Sequence, residues 1–277
     1  MAERKDVRLG WKRDLKDHRD FVFRPKAVKV PASMDLTQTY SVPVVDQGAL
    51  GSCTGNGIAG ALAYLQVKEG DPLLYPSRLF IYYNERVIEG TVNEDAGAGI
   101  RDGIKSVTDI GFCPETDWPY DISKFTYKPS DTAYADASKD LVKSYQSVPV
   151  SSQSIMEAIA LGYPVIFGIT VYDSFMQSSS GDIPMPAPTE SVQGGHCMIA
   201  VGYDQATMRF KFQNSWGTSW GNQGFGTIPF DYLGSQTYGG DYWIVTSDSI
   251  APPGPNPTPV PSPSNRGCLG LLFPNIG

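Results

Sequence analysis

The sequence predicts an α+β fold, in which a helical first half is followed by an antiparallel β-sheet. Two patterns support this: apolar residues recur at helical spacing before about residue 160, whereas later runs are rich in β-branched and aromatic residues and are separated by glycine. A chain of 277 residues with 41% hydrophobic residues suits one large domain, or two lobes that share a cleft. We therefore expect a binding site between the two halves.

Helix signals come first along the chain. Gly70 can end a helix that starts near Cys53, and Ser77 can cap the next one. Ser154 and Glu157 have the spacing of a capping box, which predicts a helix start at Ser154. The predicted helices are 53–69, 78–88, 101–110 and 154–161. The predicted strands, in the second half, are 164–172, 197–203, 209–213, 225–228 and 242–246.

Composition divides the chain into three parts. Residues 1–31 form an N-terminal arm, residues 32–249 the main domain, and residues 250–277 a linker and tail. Half of the residues in 251–264 are proline, which predicts a stiff polyproline-like spacer. Two interpretations of the arm are open: it packs on the body, or it is a short inhibitory pro-segment whose aromatic side chains plug the cleft.

Charge and cysteine content exclude several classes of partner. A formal net charge of −7 argues against nucleic acid or an anionic membrane as the main partner. No apolar run is long enough to span a membrane, and no signal peptide is visible, so the localisation stays open between the cytoplasm and export by a non-classical route. We expect a monomer. The cysteines form no CxxC pair, which argues against a metal site. Cys113 with Cys268 is the least implausible disulfide.

Cys53 is the candidate nucleophile. It lies at the predicted start of a helix, where the helix dipole lowers the pKa of a thiol and increases the thiolate fraction. Gln47, six residues earlier, carries a side-chain amide that can donate to an oxyanion together with the Cys53 backbone N–H. Gly48 and Gly51 allow a loop tight enough to bring both donors together.

His196 is the candidate base. Glycines precede it and a predicted strand follows it, so we expect its ring to be exposed at a strand end and to face the cleft. The amide oxygen of Asn214 can accept from the imidazole and orient it, and Trp216 can shield that hydrogen bond from water. Each segment alone has a structural alternative, because Asn-Ser-Trp-Gly also suits a turn and a lone histidine is often a core residue.

Together, Gln47–Cys53, Gly195–His196 and Asn214–Gly221 resemble the motifs of papain-like cysteine peptidases, and the chain is more similar to bacterial than to plant members of that family. The resemblance covers about residues 32–247. It implies a two-lobe fold, with a helical left lobe that carries Cys53, an antiparallel β-barrel-like right lobe that carries His196 and Asn214, and the active site in the cleft between them. It also implies hydrolysis of peptide bonds through a thioester, with no metal or other cofactor.

The same resemblance suggests substrate-binding residues. Gly97 and Ala98 fall near a glycine pair that binds the substrate backbone, and Gly195 and Trp216 flank the pocket. Three positions depart from the family pattern: Leu50 replaces a disulfide cysteine, Thr54 replaces a tryptophan, and Gly195 replaces an acidic or polar residue. The long proregion is absent from the sequence, which has only about thirty residues before the body.

The sequence thus predicts a cysteine endopeptidase that acts on peptide or protein substrates and is limited by its N-terminal segment. Two alternatives are a peptidase-fold acyltransferase or deamidase, in which an amine or another acceptor resolves the thioester, and a non-catalytic binding module, which the proline-rich tail favours.

Overall fold

The computed structural model describes residues 7–140 and 142–246, and it confirms the α+β class. Its α-helices are α1 (Cys53–Glu69), α2 (Arg78–Glu89), α3 (Ile100–Asp109), α4 (Asp131–Ala137), α5 (Ser152–Ala160), α6 (Asp173–Gln177) and α7 (Phe230–Leu233). Its strands are β1 (Trp11–Lys12), β2 (Ser33–Asp35), β3 (Ala98–Gly99), β4 (Ser144–Ser147), β5 (Val165–Tyr172), β6 (Val192–Asp204), β7 (Arg209–Gln213), β8 (Phe225–Pro229) and β9 (Gly239–Thr246). Single 3₁₀ turns lie at Leu36–Gln38 and Ile122–Lys124.

Six strands of the second half, together with β2 from the first, form a seven-stranded antiparallel sheet. Its strand order is β4-β9-β5-β6-β7-β8, and β2 pairs with β6 off this path. The sheet is open, so the expected barrel-like lobe is a large antiparallel sheet and not a closed barrel. The long central strand β6 pairs with β5 on one side and with β7 on the other, which places Ile169 opposite His196.

Helix α1 forms the contact between the helical lobe and the sheet. It is buried from Cys53 to Tyr64 because it packs on β6 and also on α2 and α3. Small residues make this close approach possible: a Cβ atom at Gly57 would lie 2.9 Å from Cys197 Sγ, and one at Gly55 would lie 2.8 Å from the carbonyl oxygen of Arg78. The glycines of the predicted helix are therefore contact points for neighbouring elements.

Most predicted helix boundaries agree with the structure. Helix α1 ends at Gly70, which has a left-handed φ of 83°, and the Ser77 side chain caps α2 by accepting from the Phe80 N–H. The predicted start of α5 is wrong. Its cap is Ser151, whose hydroxyl oxygen accepts from the N–H of Ser154, so Ser154 lies within the first turn.

The strand predicted to follow His196 starts five residues too late. Strand β6 begins at Val192 and continues through Gly194 and Gly195, which pair with β5. Glycine lowers strand propensity, and tertiary pairing with β5 overrides it here. His196 therefore lies inside a strand rather than at its end.

The N-terminal arm runs across the line where the lobes meet. Strand β1 pairs in parallel with β3, and further along the arm Phe23 donates its N–H to the carbonyl oxygen of Ser147. The boundaries at residues 31/32 and 249/250 stay predictions. The proline-rich tail, residues 250–277, lies outside the described residues, as does Cys268; Cys53, Cys113 and Cys197 are free thiols.

Candidate active site

The Cys53 thiol lies at the first residue of α1, as the sequence predicts. Ser52 is the N-cap, and the cysteine side chain is fully buried. Backbone groups of Cys197 and Gly10 lie close enough to the thiol to lower its pKa, against the effect of burial. The thiol is thus enclosed by its own helix, by strand β6 next to His196, and by the N-terminal arm.

The His196 ring is held from one side by Asn214. The Nε2 and Asn214 Oδ1 atoms are 2.8 Å apart, and Oδ1 also accepts from the Ser215 N–H at 2.8 Å. Because an amide oxygen only accepts, Nε2 carries the proton of the neutral ring. Nδ1 has no hydrogen-bond partner among the described residues. It is therefore the nitrogen free to exchange a proton with a nucleophile.

Aromatic rings surround this hydrogen bond. Trp216 stacks on His196 with ring centroids 4.9 Å apart and an interplanar angle of 29°. Phe175 meets the edge of both rings, and Trp220 packs against Trp216. A hydrogen bond in such an apolar environment is electrostatically stronger than one in water.

The Gln47 amide is buried and fixed by hydrogen bonds. Its Oε1 accepts from the Ser215 hydroxyl at 2.7 Å, so its Nε2 points in the opposite direction. Nε2 donates to the carbonyl oxygens of Leu50 and Arg8, at 3.0 and 2.9 Å. The carbonyl oxygen of Arg8, in the arm, therefore already accepts from the amide that the sequence predicts to be the oxyanion donor.

The candidate substrate-binding residues all lie around the arm or beneath the imidazole. Ala98 donates its N–H to the carbonyl oxygen of Gly10 at 2.8 Å. Cβ atoms at Gly97 and Gly195 would lie 2.0 and 2.3 Å from arm carbonyl oxygens, so the arm needs glycine at both positions. Trp216 packs under His196 and is only 2% exposed.

The electrostatic state of the site differs from the sequence-based expectation. Burial raises the pKa of the Cys53 thiol to about 12, against the opposing effect of the backbone hydrogen bonds. Burial also lowers the pKa of His196 to about 4, although the hydrogen bond to Asn214 acts in the other direction. The predicted lowering of the thiol pKa is therefore wrong for this structure. Desolvation outweighs the helix dipole here, and the neutral thiol and neutral imidazole are favoured.

The expectation that His196 is exposed at a strand end is also wrong. Its relative exposure is 0% because Trp216 stacks on one face and the surrounding strand and arm exclude water. In the sequence, the two glycines before His196 suggest that a strand starts only after them. They instead provide the space in which the arm residues Leu9 and Trp11 pack.

Two carboxyl groups near the site, one buried and one half-buried, had no sequence signal. Glu85 accepts from the Thr54 hydroxyl at 2.7 Å, and burial raises its pKa to about 8. The Thr54 that replaces the usual tryptophan is thus part of a polar contact between α1 and α2. The second group is Asp241, which accepts hydrogen bonds from the arm and whose pKa is raised, chiefly by burial. Glu85 and Asp241 lie far from the motifs in sequence, so only the fold brings them there.

A cavity of about 440 Å³ lies beside α1, lined in part by Leu62, Leu65 and Phe112, and contains none of the candidate site residues. The described part of the chain has no group of three or more His, Cys, Asp or Glu side chains placed to bind a metal ion. Within the same residues, no helix is long and apolar enough to cross a membrane.

A thiol at a helix start, an imidazole held by an amide, and a second amide that donates to a carbonyl are the types of group that a cysteine-type hydrolase uses. The family model of papain family cysteine proteases matches residues 30–235. The crystal structure of xylellain, a cysteine protease from Xylella fastidiosa, is similar, with a TM-score of 0.82 and 36% identity over 89% of this chain and 98% of that one. This chain belongs to the papain family of cysteine proteases, and it is a cysteine endopeptidase.

Curated relatives agree with this assignment. An uncharacterised peptidase C1-like protein of Acanthamoeba polyphaga mimivirus is 37% identical over 76% of this chain and 71% of its own length. A senescence-specific cysteine protease of rice, Oryza sativa subsp. indica, is 25% identical over 71% of this chain. The chain spans only 57% of that rice protein. The alternatives of an acyltransferase or a binding module are not favoured.

Proposed function

We propose that Cys53 is the nucleophile of this endopeptidase, His196 its base and acid, Asn214 the group that orients His196, and Gln47 an oxyanion donor. The hydrogen bond between Asn214 Oδ1 and His196 Nε2 carries this proposal, because it leaves Nδ1 free to take the thiol proton. The thiolate then attacks the substrate carbonyl carbon, and the developing oxyanion accepts from Gln47 Nε2 and the Cys53 N–H.

The second half of the reaction uses the same groups. The imidazolium donates its proton to the leaving amine, and the C–N bond breaks as the acyl group stays on sulfur. The neutral imidazole deprotonates a water molecule, which attacks the thioester and releases the acid and the thiolate; the imidazolium then returns its proton to the thiolate. The backbone N–H of Ala98 donates to Gly10 of the arm, and the same N–H is suited to a substrate backbone carbonyl.

We further propose that residues 8–12 hold the enzyme in a latent state. The carbonyl oxygen of Arg8 accepts from the Gln47 amide. The carbonyl oxygen of Gly10 accepts from the Ala98 N–H, and the Gly10 backbone lies next to the Cys53 thiol. Outside the cleft, Arg8 pairs with Asp95 and Lys12 with Glu89, although such exposed pairs contribute little. A substrate must displace these contacts before its carbonyl reaches Cys53.

The test combines turnover with thiol reactivity. Hydrolysis of a peptide by the full chain is compared with hydrolysis by the Cys53→Ala variant and by Cys113→Ala, a matched control that removes a buried thiol elsewhere. Loss of hydrolysis only in Cys53→Ala supports the proposal. Unchanged hydrolysis in Cys53→Ala would refute it. Two products whose masses sum to the substrate plus one water distinguish hydrolysis from transfer to an amine, and iodoacetamide labelling across pH reports when the thiol becomes reactive.

A further inference from the structure

The indole of Trp11 fills a pocket formed by the sheet next to the candidate nucleophile. Gly168 on β5 and Gly195 on β6 form its floor. A Cβ atom at Gly168 would lie 2.0 Å from the Trp11 ring, and one at Gly195 would lie 2.8 Å from it. Because any larger residue would close this space, the two glycines create a pocket deep enough for a large side chain.

A carboxylate, Asp241, lies at the end of this pocket. Its Oδ2 accepts from the Trp11 Nε1–H at 3.0 Å and from the Asp14 N–H at 2.7 Å. Both donors belong to the arm, and Asp241 has no other hydrogen bond among the described residues. Its backbone φ is 54°, a left-handed conformation that aspartate and asparagine tolerate better than most residues. Withdrawal of the arm therefore leaves a half-buried carboxylate without a donor.

A cation of the arm also lies beside the pocket. The Arg13 guanidinium is 5.4 Å from the Trp11 ring centroid and donates to the carbonyl oxygens of Gln236 and Gly239. Its charge favours the ionised form of Asp241. Arg101, on α3 of the body, is engaged instead with Asp20 and the carbonyl oxygen of Leu15. Arg101 also favours the ionised form of Asp241, so the positive charge at the pocket entrance comes from Arg13 of the arm together with Arg101 of the body.

We propose that Asp241 determines substrate specificity, and that the pocket occupied by Trp11 takes an arginine or lysine side chain of the substrate once the arm withdraws. This inference rests on the proposed latency of the arm and assigns the chemistry of the side chain that replaces it. A half-buried carboxylate must regain its lost donors, and a guanidinium supplies several N–H groups together with a positive charge. The aliphatic stem of arginine or lysine replaces the indole on the glycine floor.

The test uses a binding readout that does not depend on catalysis. The receptor is the full chain with Gly10→Ala and Cys53→Ala. A Cβ at Gly10 would lie 1.8 Å from the Gly51 carbonyl oxygen, so the chain's own arm cannot bind in the cleft. The probes are fluorescein-labelled peptides of residues 7–16 that carry arginine or its neutral isostere citrulline in place of Trp11. Fluorescence anisotropy gives the two dissociation constants.

We expect the arginine peptide to bind about 10- to 100-fold more tightly than the citrulline peptide, as for a charge-assisted hydrogen bond. Asp241→Asn, which suits the left-handed backbone, removes the difference. Asp231→Asn, a matched change at an exposed carboxylate on α7, retains it. Equal affinities, a preference that survives Asp241→Asn, or failure of the arginine peptide to bind would each overturn the inference.

Turnover separates this inference from the proposed function. The Gly10→Ala chain with Cys53 intact is assayed with a library of tetrapeptidyl aminocoumarins in which each position is fixed in turn. A preference for arginine or lysine at one position that is lost in Asp241→Asn supports the inference. Turnover without such a preference overturns it. If no library member is hydrolysed, the proposed function fails, and the binding ratio still decides the role of Asp241.

Discussion

The affinity of the arm for the cleft should depend on pH through Asp14. This carboxyl group accepts from the Arg101 N–H at 3.0 Å and lies next to Asp241, which accepts from the Asp14 N–H. Burial raises its pKa to about 7, and the charge of Asp241 contributes in the same direction. The other charged groups that face it are Arg101, which lowers the pKa, and Asp102, which raises it. The docked arm therefore binds a proton that the free arm does not.

The sign of the effect follows from this difference. Asp14 has its ordinary pKa of 3.8 when the arm is free, so its protonated form stabilises docking fully below pH 4, and this contribution is lost as the pH rises through 7. Between pH 5 and pH 7 the loss is about 2 kcal/mol, or roughly 50-fold in the docking equilibrium. The lowered pKa of His196 acts in the opposite direction, because docking favours its neutral form. The prediction is therefore made for the difference between chains with and without Asp14.

The assay measures peptide turnover by the full chain at pH 5 and pH 7, divided by turnover of the Gly10→Ala chain at the same pH. Dividing by that chain removes the pH dependence of the chemical step. Asp14→Asn keeps an oxygen that can accept from the Arg101 N–H but cannot titrate. We expect the wild-type chain to become more active relative to Gly10→Ala as the pH rises, by about 50-fold more than Asp14→Asn does. An identical pH response of the two chains would refute the reasoning.

Three further predictions concern single side chains. Gly10→Ala should increase the initial rate of peptide hydrolysis by the full chain without a lag, since its Cβ would meet the Gly51 carbonyl oxygen at 1.8 Å; unchanged latency would contradict the proposed role of the arm. In that activated chain, Gln47→Ala should lower kcat about 100- to 1000-fold with a smaller effect on KM, and an effect on KM alone would exclude an oxyanion role. Burial raises the pKa of Glu85 to about 8, so the protonated form stabilises the fold. Between pH 5 and 8 the free energy of unfolding in urea should therefore fall with pH more steeply in the wild type than in Glu85→Gln, by about 1.4 kcal/mol per pH unit; parallel curves would show that Glu85 is not the titrating group.

Local signals in the sequence were sufficient for much of the fold. Ser77 and Gly70 mark helix ends through capping and left-handed geometry, which depend on a few neighbouring residues, and both predictions agree with the structure. Ser154 shows where such signals fail. A second serine three residues earlier offers the same hydroxyl, and Ser151 is the one that accepts from the Ser154 N–H. The local pattern does not distinguish two candidate caps that are one helical turn apart.

The candidate site was only partly predictable. The residue types at Gln47, Cys53, His196 and Asn214 indicate their chemistry from the sequence, because a thiol, an imidazole and amides have intrinsic reactivity and hydrogen-bonding capacity. Burial was not predictable in the same way. The thiol pKa depends on how much water surrounds the sulfur, and the arm that excludes the water is more than forty residues away in sequence.

The sequence by itself determined the α+β class, the order of the main elements and the identity of the reactive groups, since these depend on periodicity, capping and side-chain chemistry. The tertiary structure alone decided that His196 is buried within a strand, that Trp11 fills the adjacent pocket, and that Asp241 and Glu85 lie near the site. The physical reason is that desolvation and side-chain contacts depend on distances between residues remote in the chain, and these distances exist only once the sheet, the helices and the arm have packed together.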